Sequence, residues 1–288
     1  MCLLSLAINR YWSFTEYMRP LILVTNDDGI ETDGISALAH ALQNIGDVVI
    51  VAPLQNQSGV SHKLTLHHIV RVKRFSESRI GVNGTPVDCV YLATNGLLDR
   101  KPDMVVSGIN AGPNLGTDVH YSGTVGAAVE GTLARIPSIA VSCVSRRDAN
   151  YEYAALVTRD IAKQVFDNGG LPSGITLNIN VPKGEPRELQ WTYLGHRPYD
   201  HSIEHREDPR GGEYYWIGGH PLVDIEEDVG GDGHAVKNGR VSVTPMMLDV
   251  TSYSDIDLFS LQFGDFSEQG FIQPANGHKL GSWSPKDN

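Results

Sequence analysis

Ile22-Leu23-Val24-Thr25-Asn26-Asp27-Asp28-Gly29 is the stretch from which the rest of the chain can be read. An apolar run of strand character ends abruptly in an amide, two adjacent carboxylates and a glycine. Side chains alternate along a strand, so neighbouring aspartates converge only where the strand breaks into a turn. Gly29 permits that break. Two carboxylates at the carboxyl end of a strand form a hard, oxygen-rich corner suited to Mg2+ or Mn2+. The bland alternative for the same octapeptide is an Asx-rich turn or helix cap that holds no metal.

Outward from this strand, the first half of the chain alternates strand-like and helix-like segments. Residues 34–45 carry the helical stripe Ile35, Leu38, Ala39, Leu42 and Ile45. Residues 47–53 are a continuous apolar run, as in a strand buried on both faces. A polar loop at 54–61 is followed by an expected β pair, 64–75 with 79–82. Thr85 and Pro86 read as cap and first residue of a helix running to Leu97. A buried strand at 103–107 leads into a glycine-rich loop at 108–116. A helix at 125–135, a strand at 138–144, a helix at 151–168 and a strand at 176–181 complete the alternation. The pattern predicts an α/β fold, a Rossmann-like and mostly parallel sheet with helices on both faces. Beyond Pro182 the text turns aromatic and charged, which predicts an extended β-hairpin excursion and a strand at 241–248. The expected organisation is a flexible extension at 1–17, a metal- and nucleotide-binding core at 18–189, the excursion and returning strand at 190–248, and a C-terminal segment with a mobile tail at 249–288.

The 288 residues are 41% hydrophobic and 20% charged, enough for a substantial core. A net charge of -11 argues against nucleic-acid polymers and acidic membranes as partners. It leaves nucleotides open as substrates, since a bound dication supplies local positive charge. No apolar run reaches the roughly 18 residues of a membrane span. Cys2, Cys89 and Cys143 lack CxxC spacing and read as reduced thiols of a cytoplasmic protein.

Ligands of an open α/β sheet bind beyond the carboxyl ends of its strands. Three loops reach that rim: one with Asp27 and Asp28, one with Asn56 and Ser58, one with Ser107, Asn110 and Asn114. All offer hard oxygen donors. The glycines between 108 and 131 match neither a Walker A loop nor GxGxxG at a first strand–helix turn. What remains is an anion cradle of loop amides, the Ser122 and Thr124 hydroxyls and the positive end of the following helix. A tight loop with a capped helix and no ligand is the competing reading. Joined to the carboxylate corner, the cradle points to phosphoryl transfer to water assisted by a metal. An aspartyl-phosphate is the alternative, but its familiar arrangement separates the two aspartates by one residue and these are adjacent.

The motifs Thr-Asn-Asp-Asp-Gly (25–29), Val-Ala-Pro-x-x-x-x-Ser-Gly (51–59), Gly-Thr-Pro-x-Asp-Cys-Val (84–90), Ser-Gly-Ile-Asn-Ala-Gly-Pro-Asn-Leu-Gly (107–116) and Tyr-Ser-Gly-Thr-Val-Gly-Ala-Ala-x-Glu-Gly (121–131) together resemble the SurE family of 5'(3')-nucleotidases. The resemblance covers about residues 21–248. It implies a divalent-metal phosphatase of nucleoside monophosphates, with activity on short polyphosphate, in homodimers or homotetramers that exchange a C-terminal segment. It carries one Mg2+ or Mn2+ per subunit onto Asp27, Asp28, Ser58 and Asn110, with Asp27, Asp28 and Asn110 as catalytic residues. Ser107, Gly108, Asn114, Ser122, Gly123 and Thr124 fall in its phosphate-side motifs. The stretches 31–33 and 117–120 are variable ones, where substrate preference is undetermined. Two other readings compete: a polyphosphatase, and a nucleotide sensor without catalysis.

Other residues are read as structural. His67 and His68, on the expected strand, would face opposite ways and cannot chelate together. His62 is read as exposed or structural. Of His196, His201, His205, His220 and His234, one at most reaches a neighbouring subunit's site. Tyr214, Tyr215 and Trp216 are read as hairpin or subunit contacts rather than a base platform. The acidic run 224–228 is read as solvated.

Overall fold

The computed structural model describes residues 18–145, 147–186, 188–197, 199–200, 202–219 and 228–263. The expected extension at 1–17, His201, His220, the acidic residues 224–227 and the tail beyond 263 lie outside them. The chain divides into two compact units after Leu248.

In the first unit the elements are, in order, β1 (Leu21–Thr25), α1 (Asp33–Leu42), β2 (Asp47–Pro53), β3 (Val72–Ser76), β4 (Arg79–Val82), α2 (Pro86–Leu92), β5 (Met104–Ala111), α3 (Gly123–Leu133), β6 (Ser138–Cys143), α4 (Tyr151–Asp167), β7 (Ile175–Val181), β8 (Leu189–Trp191), β9 (Ile203–Glu207), β10 (Glu213–Ile217), α5 (Asp232–Lys237) and β11 (Val241–Met247). The second unit has α6 (Tyr253–Phe263). Nine strands form one sheet in the order β3-β4-β2-β1-β5-β6-β7-β11-β8, and β9 and β10 form a separate ribbon. Only the β3–β4 and β7–β11 pairings in the large sheet are antiparallel. The predicted Rossmann-like α/β architecture is therefore the observed one.

The alternation of β1 shows how the layers are built. Ile22 and Val24 face one side with Ile35, Leu38 and Leu42 of α1 and Ala154, Ala155 and Ile161 of α4. Leu23 faces the other, with Cys89 and Val90 of α2 and Ala127 of α3. All three β1 residues are fully buried, as a central parallel strand requires. From β1 the chain moves to β2 on one side, and it later returns to β5 on the other. The gap between the carboxyl ends of β1 and β5 is thus the topological switch point, where ligands of such sheets bind.

Several expectations need correction. The strand expected at 64–75 begins only at Val72, because β3 is an edge strand with every residue exposed and no buried face fixes residues 64–71. His67 and His68 therefore lie on an irregular, exposed stretch. The α2 helix ends at Leu92 and passes into a π-type turn at Ala93–Leu97, broken at Asn95 and at Gly96 (φ +129°). Strand β5 continues past Ser107 to Ala111, into the expected glycine loop. Its pairing with β6 shifts register at Gly108 (φ +142°) and resumes at Asn110 opposite Ser142. The excursion after residue 190 includes the predicted hairpin, β9 with β10, but also the short helix α5. Helix α6 was not expected. Thr85 and Pro86 behave as predicted: the Thr85 hydroxyl accepts from Asp88 N–H at 3.1 Å, and the Asp88 carboxylate accepts from Thr85 N–H at 2.8 Å.

Candidate active site

At the end of β1 the turn is closed by Asn26. Its amide donates to the Gly29 carbonyl at 2.9 Å and accepts from Gly29 N–H at 3.2 Å, while Gly29 takes φ +113°. The Asx turn is real, but Asn26 makes it, and both aspartates are left for other partners. The Asp28 carboxylate accepts from Ala111 N–H at 3.0 Å, which ties β1 to the end of β5. The Asp27 carboxylate accepts from the Thr124 hydroxyl at the start of α3. Gln57 N–H donates to the Asp27 carbonyl at 2.7 Å and brings in the loop after β2.

Asp27 is 3% exposed, and among the described residues no ion pair reaches Asp27 or Asp28. Burial pushes the Asp27 carboxyl up to about 6, and the neighbouring Asp28 adds to the rise, against the lowering effect of the Thr124 hydrogen bond. A buried carboxylate thus stands beside a second one at the end of β1, on a rim that also carries the oxygen donors of Ser58 and Asn110.

The third loop is held from below. Asn114 N–H donates to Asn180 at 2.9 Å, and its side chain donates to the Ser142 hydroxyl at 2.8 Å. Its carbonyl accepts from Asn178 at 2.8 Å and from Asn180 at 3.0 Å. The Asn110 amide donates to the Gly112 carbonyl at 2.8 Å. Ser122 caps α3, its hydroxyl accepting from Val125 N–H at 3.1 Å.

A cavity of about 780 Å3 opens at this switch point, and Asp27, Asp28, Ser58, Asn110, Asn114 and Ser122 all line it. Ser107, Gly108, Gly123 and Thr124 do not. Thr124 lies behind Asp27. Gly123 is the close approach between α3 and β1: a Cβ there would stand 2.9 Å from the Asp27 Cβ. Ser107 is fully buried, and its hydroxyl has no hydrogen-bond partner among the described residues. Sequence reasoning missed Asp118, Tyr121, Tyr199 and the Ile217–Gly218–Gly219 corner, all on the cavity wall. The last four positions arrive through the return of the excursion, far in sequence from β1 and β5. Asn178 and Asn180 were detectable, as two amides at period two in an otherwise apolar strand. Among the described residues no histidine lines the cavity; His62 pairs with Glu130 at 2.9 Å. Cys89 and Cys143 are free and buried, as expected of core residues.

Crossovers diverge from β1 and β5, and the cavity occupies the place of divergence. Fold and cavity together define a Rossmann-like α/β protein with a cavity at its topological switch point. Comparison with known proteins narrows the class. The chain belongs to the SurE family: the family model described as survival protein SurE matches residues 22–201. The chain is 49% identical over 267 residues to a 5'-nucleotidase SurE of Geobacter sulfurreducens, covering 91% of this chain and 98% of that one. It is 50% identical over 242 residues to one of Geotalea daltonii, covering 82% and 96%. The crystal structure of the SurE protein from Aquifex aeolicus superposes with a TM-score of 0.74 at 40% identity, covering 85% of this chain and all of that one.

Proposed function

We propose that the protein is a divalent-metal-dependent phosphohydrolase that releases phosphate from nucleoside 5'-monophosphates, and from 3'-monophosphates as well. One observation carries the reading: Asp27 is a buried carboxylate that no ion pair reaches among the described residues, on the same cavity wall as Asp28, Ser58 and Asn110. That the relatives are named 5'-nucleotidases supports the substrate class.

Asp27, Asp28, Ser58 and Asn110 would hold one Mg2+ or Mn2+ per subunit. When bound, the ion supplies charge neutralisation for phosphate oxygens and lowers the pKa of water. The protein groups do the positioning. The Thr124 hydroxyl fixes the Asp27 carboxylate, Ala111 N–H fixes that of Asp28, and the Asn178–Asn180 pair fixes Asn114 at the wall. The N-terminus of α3 brings its positive end to the anionic substrate, with Ser122 and Gly123 at that end. Hydrolysis adds water across the ester P–O bond and yields a nucleoside and orthophosphate. The free, buried Cys89 and Cys143 support a reducing, cytoplasmic setting. No helix among the described residues is long and apolar enough to cross a membrane.

The test is phosphate release from AMP, GMP, 3'-AMP and short polyphosphate, with chelator and then with Mg2+ or Mn2+. The nucleoside monophosphates should be hydrolysed, chelator should abolish the activity and metal should restore it. Asp27→Asn should slow turnover by about 100-fold or more with the fold intact. Nucleotide binding without any phosphate release would make the protein a sensor instead, and a rate indifferent to chelator would remove the metal site.

A further inference from the structure

Among the cavity residues outside the metal corner and the anion cradle are Asp118, Tyr199 and the Ile217–Gly219 corner. Asp118 is the third carboxylate on the wall, in the short helical turn Gly116–His120. Its side chain is 17% exposed. Arg197 donates to Asp118 Oδ2 at 2.5 Å and the Tyr199 hydroxyl donates to Oδ1 at 2.7 Å. The turn is tied down further: Thr117 donates to the Arg197 carbonyl at 3.3 Å, and Gly116 N–H donates to the buried Asp232 at 2.8 Å. Tyr121 N–H donates to the Asp118 carbonyl at 3.0 Å, so Asp118 stands one tight turn before the Ser122 cap.

A carboxylate offers about four acceptor positions, and Arg197 and Tyr199 occupy one on each oxygen. A phosphate-bearing substrate gains nothing from a third negative charge unless that charge meets hydrogen-bond donors. In a nucleoside 5'-monophosphate the paired donors are the vicinal 2'- and 3'-hydroxyls of the sugar; a 3'-monophosphate keeps the 2'-hydroxyl of that pair. Carboxylates recognise such diols elsewhere among dinucleotide-binding α/β folds.

Resting on the nucleotidase reading above, we infer that Asp118, held in place by Arg197 and Tyr199, accepts hydrogen bonds from the sugar hydroxyls of the substrate and makes the site selective for ribonucleotides. Arg197 offsets its charge, and Tyr199 fixes its orientation. The residue determines specificity and takes no part in the chemistry.

The experiment compares kcat/KM for AMP and 2',3'-dideoxy-AMP in the full-length, metal-loaded protein, and measures the affinity of both by calorimetry. Hydrogen bonds to a charged group set the expected preference for AMP at about 10-fold or more. Asp118→Asn keeps an oxygen for Arg197 and an amide for Tyr199 but loses acceptor capacity, and the preference should collapse to about 2-fold or less. Tyr199→Phe weakens the grip while leaving the carboxylate, and should keep most of the preference. The ratio is read within each variant, so a general loss of rate cancels. A ratio unchanged in Asp118→Asn, or no preference in the wild-type protein, overturns the inference. If AMP is bound but not hydrolysed, the nucleotidase reading fails by itself, and the affinity ratio still decides the role of Asp118.

Discussion

Asp27 carries a thermodynamic cost that the rest of the site must offset. Its carboxyl titrates near 3.8 when unperturbed and near 6 in the fold, chiefly because it is buried. The folded state therefore holds the proton more tightly than the unfolded one. Above pH 6 this costs the metal-free protein on the order of 2–3 kcal/mol of stability. The cost is relieved as pH falls through about 6, and it is absent below the unfolded value. Metal binding needs the carboxylate, so Mg2+ affinity measured by calorimetry should fall about tenfold per pH unit below pH 6. Thr124→Val removes a hydrogen bond that favours the ionised form, so the pH at which affinity falls should move upward. An affinity flat from pH 5 to 7 would separate Asp27 from the metal. That Asp27 and Asp28 meet at one corner of the cavity was legible in the sequence, because an apolar strand that breaks at Gly29 lets adjacent side chains converge. Thr124 was legible as a residue of the site but not in its role: its hydroxyl was expected to face phosphate, and it faces Asp27. That partner is 97 residues away, and no local spacing encodes it.

Elements were legible where a buried face imposed a period, and illegible where none did. Helix α1 and strands β1 and β2 sit in the core and show their period plainly. The edge strand β3 buries no residue, and its start was read eight residues early; helix α5 buries four residues but, at six residues long, is too short to show a period. Strand β5 was read short, because glycine signals a loop locally while pairing with β6 keeps residues 110–111 in the sheet. Helix α2 was readable from its cap. There Asp88, 2% exposed, accepts from Thr85 N–H and also from Thr65 N–H and hydroxyl at 2.8 and 2.6 Å. Asp88→Ala strands these donors and should lower stability by about 2–3 kcal/mol in urea unfolding; a loss under about 0.5 kcal/mol would show the box to be dispensable. Helix α3 meets β1 through Gly123. In Gly123→Ala the new methyl lies 2.9 Å from the Asp27 Cβ and 3.0 Å from the Val60 Cγ1. The helix should persist by circular dichroism while turnover falls by about 10- to 100-fold, as misplacement of a reacting group does. Unchanged turnover would mean that Asp27 tolerates the shift.

At the scale of the whole molecule, the question is which surfaces are protected and which are not. The β3 edge of the large sheet is five residues long and carries Lys73 and Arg74, with Lys73 packed over Phe75 at 4.7 Å. The β8 edge is three residues long. Short, charged edges resist strand-to-strand association. The β9–β10 ribbon is different: it stands outside the large sheet, and all ten of its residues are exposed. Ile203, Tyr215, Trp216 and Ile217 are 66%, 56%, 62% and 88% exposed, and His205 stacks on Tyr215 at 4.7 Å. An isolated two-stranded ribbon is marginal in water, and an apolar aromatic surface on it calls for a cover. A second copy of the chain is the cover that fits the homo-oligomer expected from the sequence. Light scattering at micromolar concentration should then give a dimer or tetramer, and Trp216→Glu should shift it toward the monomer. Because Ile217, Gly218 and Gly219 at the end of β10 also line the cavity, the same substitution should raise KM for AMP more than for a small phosphate ester that does not reach the ribbon. A wild-type monomer, or a Trp216→Glu variant with unchanged mass and an equal effect on both substrates, would confine the ribbon to its own fold and uncouple assembly from the site.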